Sequence, residues 1–274
     1  MAYERIQVEP VAAALGAEIK GLDLREPLDD ATQKEIHEAW MRHKVLFFRE
    51  QPLTLEQHKD FARRFGDLHV HPVLQPLKDQ GHPEVVILES SEKLPFLADE
   101  WHSDVTFERK PPMGSVLRAA LAPPFGGDTL WASMTAAYDA LSQPMKEFLA
   151  GLRAVHDGGG FRTIASNAQK QELAKDETTT HPVIRTHPET GQKLLFVNAT
   201  FTRRIEGLKA KESAALLSML YDHIATPDFS VRFRWETDSI AMWDNRCTQH
   251  RVVADARKAH RRMERITICG DEPV

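Results

Sequence analysis

Three short phrases place side chains that can do chemistry within reach of one another. The first is Trp101-His102-Ser103-Asp104. In an extended stretch, residues two apart share a face, so the His102 imidazole and the Asp104 carboxylate would point the same way. One imidazole and one carboxylate are two thirds of a facial triad, the ligand set that grips a divalent metal on one side and leaves positions open for substrate and O2. A His-x-Asp tripeptide also arises by chance, and a third ligand must come from elsewhere. His250 is the best placed, closing the phrase Trp243-Asp244-Asn245-Arg246-Cys247-Thr248-Gln249-His250 after a strand-like run. Spacing alone does not force that pairing, since a lone histidine is more often a packed or surface residue.

The second phrase is Arg261-Arg262-Met263-Glu264-Arg265, leading into Ile266-Thr267-Ile268. On a strand, Arg261 and Arg265 share a face. Two guanidiniums on one face are costly unless they meet anions, and the guanidinium fork suits a carboxylate or sulfonate better than a lysine does. The plainer alternatives are a solvated basic edge or a nucleic-acid patch. The third phrase is Gly126-Gly127-Asp128-Thr129-Leu130-Trp131. Its glycines read as a turn into a strand, and the Thr129 hydroxyl is able either to donate to a ligand carboxylate or to be satisfied within the strand.

Something must hold these phrases together, and the rest of the chain reads mainly as short strands. Apolar, β-branched runs occur at 45–48, 85–88, 115–118, 129–131, 183–185, 194–197, 231–235, 239–243 and 266–268, separated by Pro and Gly pairs. Helices are fewer. An Asp cap at 29–30 predicts one through about His43, Thr54 caps a second over 55–65 closed by Gly66, a third covers about 134–149, and Leu216, Leu217, Leu220 and Ile224 give the apolar stripe of a fourth over 210–224. Many short strands with few helices predict a β-sandwich or jelly roll. Residues 158–180, with a Gly triplet and few apolar side chains, read as a lid-like loop. No break in composition divides the 274 residues, so one domain spanning 1–274 is expected.

Taken in order, these phrases resemble the taurine dioxygenase (TauD/TfdA) family of Fe(II)- and 2-oxoglutarate-dependent enzymes. The matching segments are Trp-His-Ser-Asp-Val-Thr-Phe at 101–107, Gly-Gly-Asp-Thr-Leu-Trp at 126–131, His-Pro-Val-Ile-Arg-Thr-His-Pro at 181–188, Phe-Val-Asn at 196–198, the phrase at 243–250 and Arg-Arg-Met-Glu-Arg-Ile-Thr at 261–267. The resemblance implies a double-stranded β-helix (jelly roll) core flanked by helices. It implies His102, Asp104 and His250 as ligands of Fe(II), with O2 and 2-oxoglutarate as co-substrates. Related halogenating enzymes lack the carboxylate, so Asp104 implies a hydroxylase. Arg261, helped by Thr129, is implied as the partner of the distal 2-oxoglutarate carboxylate. Arg265, His71 and the Val105 backbone amide are implied as the anchor of an anionic substrate head group, and Phe201 as an apolar wall. His69 and His71 are alternatively readable as a metal pair.

The chain departs from taurine enzymes at two places. Where they carry a Tyr and an Asn beside the substrate, this sequence has Leu74 and Ala98. Both changes remove polar partners for an amine. The expected substrate is a small organic anion with an apolar body: a sulfonate first, with an alkyl sulfate ester or an aryloxyalkanoate as alternatives. Hydroxylation next to the heteroatom would yield an unstable product that releases the anion, with succinate and CO2 formed from 2-oxoglutarate.

Composition bounds the partners. Lys and Arg total 35 against 40 Asp and Glu, a net charge of −5, whereas nucleic acid and anionic membranes reward a positive excess. No apolar run reaches membrane-spanning length and no leader is evident at the start, so a cytoplasmic enzyme is expected, and the relatives' habit implies a dimer or tetramer. Cys247 and Cys269 suggest two reduced thiols rather than a disulfide framework. A zinc hydrolase on the same ligands and a non-catalytic jelly-roll binding module are the rival readings. The hydrolase has no need of Arg261 and Thr129, and the binding module, with its anion pocket, would tolerate loss of Asp104.

Overall fold

A large antiparallel sheet carries most of the fold, in a computed structural model that describes residues 3–93, 98–159, 178–256 and 258–274. Its order runs β1 (Gln7–Pro10), β2 (Ala17–Lys20), β3 (Val45–Phe48), β14 (Ile240–Asp244), β6 (Gly114–Leu121), β16 (Arg261–Ile268) and β4 (Leu68–His69), with β5 (Val85–Ser90) also pairing with β16. Among the described residues only β2 and β3 run parallel. A second sheet, β13 (Ser230–Phe233), β7 (Thr129–Ser133) and β15 (Thr248–Val252), is antiparallel throughout. Two small sheets complete the strands: β12 (Thr202–Ile205), β8 (Arg153–Asp157) and β9 (Thr178–Pro182), and the pair β10 (Ile184–Thr186) and β11 (Lys193–Leu195).

Alternation along the strands explains the layers. Val45 and Phe47 on β3, Leu117 on β6, Ala241 and Trp243 on β14 and Met263 on β16 face inward onto Trp131, Val231 and Phe233 of the second sheet. That is the interior of a jelly roll. The intervening residues Leu46, Phe48, Val116, Met242 and Ile266 face outward and are covered by α1 (Asp30–His43) and α2 (Leu55–Arg63), through Ile36, Ala39, Trp40 and Phe61. The outer side of β7 is covered in turn by α3 (Met134–Asp139) and α5 (Ala210–Ile224), through Met134, Ala137, Leu217, Leu220 and Ile224. Both faces of the main strands are therefore buried, which is why they read as continuous apolar runs.

The helix starts follow their caps. Asp29 accepts from the Thr32 amide, and Thr54 and Gln57 form a reciprocal capping box. The single helix expected over 134–149 is two, α3 and α4 (Gln143–Leu149). Ser142 caps the second and Pro144 sits in its first turn, so a new helix begins where one was expected to continue. The expected lid at 158–180 lies mostly outside the described residues. No helix among the described residues is long and apolar enough to cross a membrane.

Candidate active site

His102 and Asp104 do not lie on a strand, contrary to the reading of an extended stretch. His102 forms a single β-bridge with His250, its amide donating to the His250 carbonyl at 3.1 Å and the reverse bond at 2.8 Å. Asp104 then enters a tight turn. The two still converge because the bridge fixes His102 against β15, while Asn245 at the end of β14 holds the turn. The Asn245 Oδ1 accepts from the Asp104 amide at 2.7 Å, and its Nδ2 donates to the carbonyls of Asp104 and Pro112, both at 3.0 Å. Ser103 adds a hydroxyl bond to the Thr248 carbonyl at 2.7 Å. Val105 follows at φ 55°, a costly conformation for a β-branched residue that the clamp on Asp104 enforces.

The outcome is a buried cluster. The His102 Nε2 lies 3.9 Å from one Asp104 oxygen and the His250 Nε2 lies 4.0 Å from the other. Those separations are shorter than two metal–ligand bonds of about 2.1 Å each end to end, so one ion can touch all three. The tautomer of His102 is set: its Nδ1–H donates to the Glu100 carbonyl at 2.8 Å, leaving Nε2 as a lone-pair donor toward the cluster. Burial lowers the pKa of both histidines, with the Asp104 charge opposing the shift and the His102 ring deepening it at His250. They are therefore neutral, as metal ligands must be. Burial pushes the Asp104 carboxyl up, but the Arg265 guanidinium beside it outweighs that and holds the group well below the usual carboxylate range.

Arg265 and Arg261 share the inward face of β16, both nearly fully buried. Arg265 donates to the Asp104 Oδ1 at 2.5 Å, so one guanidinium is tied to the ligand cluster. Burial draws Arg261 down to about 10, with Asp128 opposing; Asp128 directly precedes Thr129, which places Arg261 beside the start of β7. The Thr129 oxygen accepts from the Trp235 indole at 2.9 Å. Its hydrogen is thereby left to donate. His71 accepts the amides of Val73 and Leu74 on Nδ1, each at 3.0 Å. That makes Nε2 the protonated nitrogen, a donor for an anion.

The alternative metal pair is not formed, because His69 turns to Glu108 at 2.9 Å. Phe201 packs edge-on against His102, with ring centroids 6.3 Å apart, and against Phe107 at 5.2 Å. Leu74 is buried beside Val73 and Val86.

A second group, His187, Asp244 and Cys247, also brings metal-type ligands together. It is not a credible metal centre. Asp244 already accepts from the Arg246 amide and Nε at 2.9 Å, from Arg246 Nη2 at 2.7 Å and from His187 Nε2 at 2.9 Å. Burial raises the Cys247 thiol well above its usual range, away from the thiolate a metal needs. The cluster is a structural tie between β14 and the turn after β10.

Sequence reading missed the residues that position others. Asn245 was visible only as one of several polar residues in the phrase at 243–250, and nothing local distinguishes it from a loop asparagine. The same holds for Asn198, whose Oδ1 accepts the Phe201 amide at 2.8 Å and whose Nδ2 donates to the Thr106 hydroxyl at 3.0 Å.

Comparison with known proteins converges on one family. The pattern of the "Taurine catabolism dioxygenase TauD, TfdA family" matches residues 7–267. An alpha-ketoglutarate-dependent sulfate ester dioxygenase of Pseudomonas putida is 38% identical, over 98% of this chain and 91% of that protein. An alkylsulfatase of Acinetobacter baylyi is 36% identical, over 98% of this chain and 86% of its own. Among solved structures, a putative alpha-ketoglutarate-dependent taurine dioxygenase from Burkholderia xenovorans superposes with a TM-score of 0.87 at 39% identity, covering 98% of this chain and 94% of that one.

Proposed function

The chain belongs to the TauD, TfdA family of dioxygenases, and from that premise we propose that it hydroxylates an apolar-bodied sulfonate or sulfate ester at the carbon next to the head group. It is a 2-oxoglutarate-dependent dioxygenase, as its relatives are by name. The proposed metal is Fe(II), and the donor set fits it: two neutral imidazoles and one carboxylate on one side, the rest of the coordination sphere open. When bound there, Fe(II) supplies the O2 activation that couples decarboxylation of 2-oxoglutarate to oxidation of the substrate.

The protein's own residues bind, orient and exclude water. Arg261 and the Thr129 hydrogen hold the distal carboxylate of 2-oxoglutarate. Arg265 and the His71 Nε2–H hold the head group of the substrate, with the strained Val105 turn offering its amide. Phe201 and Leu74 bound the carbon body, and fixing one C–H bond by its anion is chiefly a gain in orientation. The observation that carries the reading is the pair of buried guanidiniums on one face of β16 beside the His/Asp/His cluster. Two separated anions satisfy them, a keto acid and an acidic substrate.

The test is anaerobic titration with Fe(II) and 2-oxoglutarate, followed by air and a panel of taurine, alkyl sulfonates, alkyl sulfates and aryloxyacetates. A weak visible charge-transfer band and succinate formed with an alkyl sulfonate or sulfate are the expected result. Absence of both from fully metal-loaded protein rules out the reading. Taurine turned over far better than every apolar member rules out the substrate class.

A further inference from the structure

Gly158 follows the last residue of β8, and a Cβ built on it would lie 2.9 Å from both Cδ1 and Cγ of Phe107 and 3.1 Å from its Cδ2. The glycine is not in the left-handed region, so its backbone conformation is open to any residue. What requires glycine is the approach of the Phe107 ring, which lies face-on against the backbone.

The consequence reaches the substrate. Phe107, Phe201 and Val105 form a small cluster of their own, apart from the larger cores. Phe201 is the ring next to His102. The spacing of the two phenyl rings is fixed from behind: Asn198 ties the Phe201 amide to the Thr106 hydroxyl, His156 meets the same hydroxyl at 3.0 Å, and the Asp157 amide donates to the Phe201 carbonyl at 2.9 Å. With Phe201 held on both sides, the Gly158 backbone is one of the surfaces against which Phe107 is seated.

We infer that Gly158 is a specificity-determining position: by letting the Phe107 ring rest on bare backbone, it sets the width available to the substrate carbons nearest the oxidised C–H bond. The inference rests on the proposed function and adds to it a preference, that this enzyme accepts substitution close to the head group. A methyl at 158 drives the ring off the backbone, and a packed site loses about tenfold or more against a ligand one carbon too wide. Gly158 acts through Phe107 and is a positioning residue.

The experiment compares Gly158→Ala with the unaltered enzyme on two alkyl sulfates of equal carbon number, one straight and one branched beside the oxidised carbon. The readout is the ratio of kcat/KM, branched over straight, measured as succinate. The expected result is a fall of about tenfold in that ratio. In a Phe107→Leu background the same glycine change should leave the ratio where Phe107→Leu alone puts it. An equal loss on both substrates, no change, or an undiminished effect in the Phe107→Leu background overturns the inference. If the unaltered enzyme forms no succinate, the rise in Tm caused by each sulfate gives the branched-to-straight ratio of affinities, which the same substitutions should move in the same direction. No succinate and no rise in Tm with any sulfate refute the functional reading and this inference together, whereas an active parent with an unmoved ratio refutes the inference alone.

Discussion

Replacing Asn245 with alanine removes three hydrogen bonds at once, all of them buried and of 2.7–3.0 Å. The lost amide leaves the Asp104 N–H, the Asp104 carbonyl and the Pro112 carbonyl without their partner. Each orphaned buried group costs about 1–3 kcal/mol, and water admitted to the vacated space recovers part of it. The expected loss is about 3–4 kcal/mol of unfolding free energy, a large share of the roughly 5–15 kcal/mol of a natural domain. The same change frees the turn that aims Asp104, so affinity for a divalent metal should fall about 10- to 100-fold, the usual effect of removing a group that orients a ligand. Urea unfolding of the metal-free protein measures the first effect, and calorimetric titration with Mn(II) or Co(II) measures the second. Asn245→Asp keeps the acceptor for the Asp104 amide but faces a carboxylate toward two carbonyls, and it should be at least as damaging. If Asn245→Ala lies within about 1 kcal/mol of the parent and binds metal as tightly, the turn is held by other means and the assignment of Asn245 as the positioning residue is wrong.

Acid should destabilise the protein well above the range of its carboxylates. Burial lowers His58 to about 3 and His181 to about 4, so both stay neutral in the fold while the unfolded chain takes up protons below its ordinary histidine value. Stability from these groups is complete above that value and is lost as pH falls toward the folded pKa, by about 2 kcal/mol per histidine between pH 7 and 5. Urea unfolding at the two pH values checks it, and His58→Asn should remove about 2 kcal/mol of the dependence; a flat profile in the parent contradicts the burial argument. Arg261→Lys should raise KM for 2-oxoglutarate about tenfold or more through loss of the planar fork, with a smaller change in KM for the primary substrate; steady-state kinetics on each substrate decides it. Leu74→Tyr with Ala98→Asn should improve the ratio of taurine to alkyl sulfonate turnover. Ala98 sits at φ 68°, a conformation asparagine tolerates better than alanine, so that change alone should not lower Tm.

What was legible in the sequence was whatever is periodic or chemically unusual. The strands β3, β6, β14 and β16 carry apolar side chains on both faces because helices cover one side and the second sheet the other, and runs of that kind stand out. The 210–224 helix was legible from its stripe and ends where expected. Strands β8, β9, β12 and β15 were not read because Arg, His, Gln and Thr fill them, and their pairing partners rather than their composition make them strands. The same division holds at the site. Guanidiniums crowded on β16 and a histidine two residues from an aspartate are conspicuous by type. Asn245, Asn198 and Gly158 act through bonds and contacts to residues far away in the chain, which no local pattern encodes.

Charge balance ties the proposed ligands to one another. In the proposed complex a divalent metal and two guanidiniums would face Asp104 and, beside Arg261, Asp128, and Arg265 already donates to the Asp104 carboxylate. Buried charge without a counterion is strongly disfavoured, so the site stands to gain from each anion that enters. A dianionic keto acid on Arg261 and a monoanionic sulfonate or sulfate ester on Arg265, as proposed, would offset the positive charge of the metal and the guanidiniums. A zwitterion such as taurine carries no net charge, and its ammonium finds no acceptor in Leu74 or Ala98. The proposed preference for an apolar body therefore rests on electrostatics as well as on the missing hydrogen-bond partners. In the proposed complex the guanidinium that would receive the substrate is the one that holds Asp104, so head-group binding and the aim of that carboxylate would be set by the same side chain.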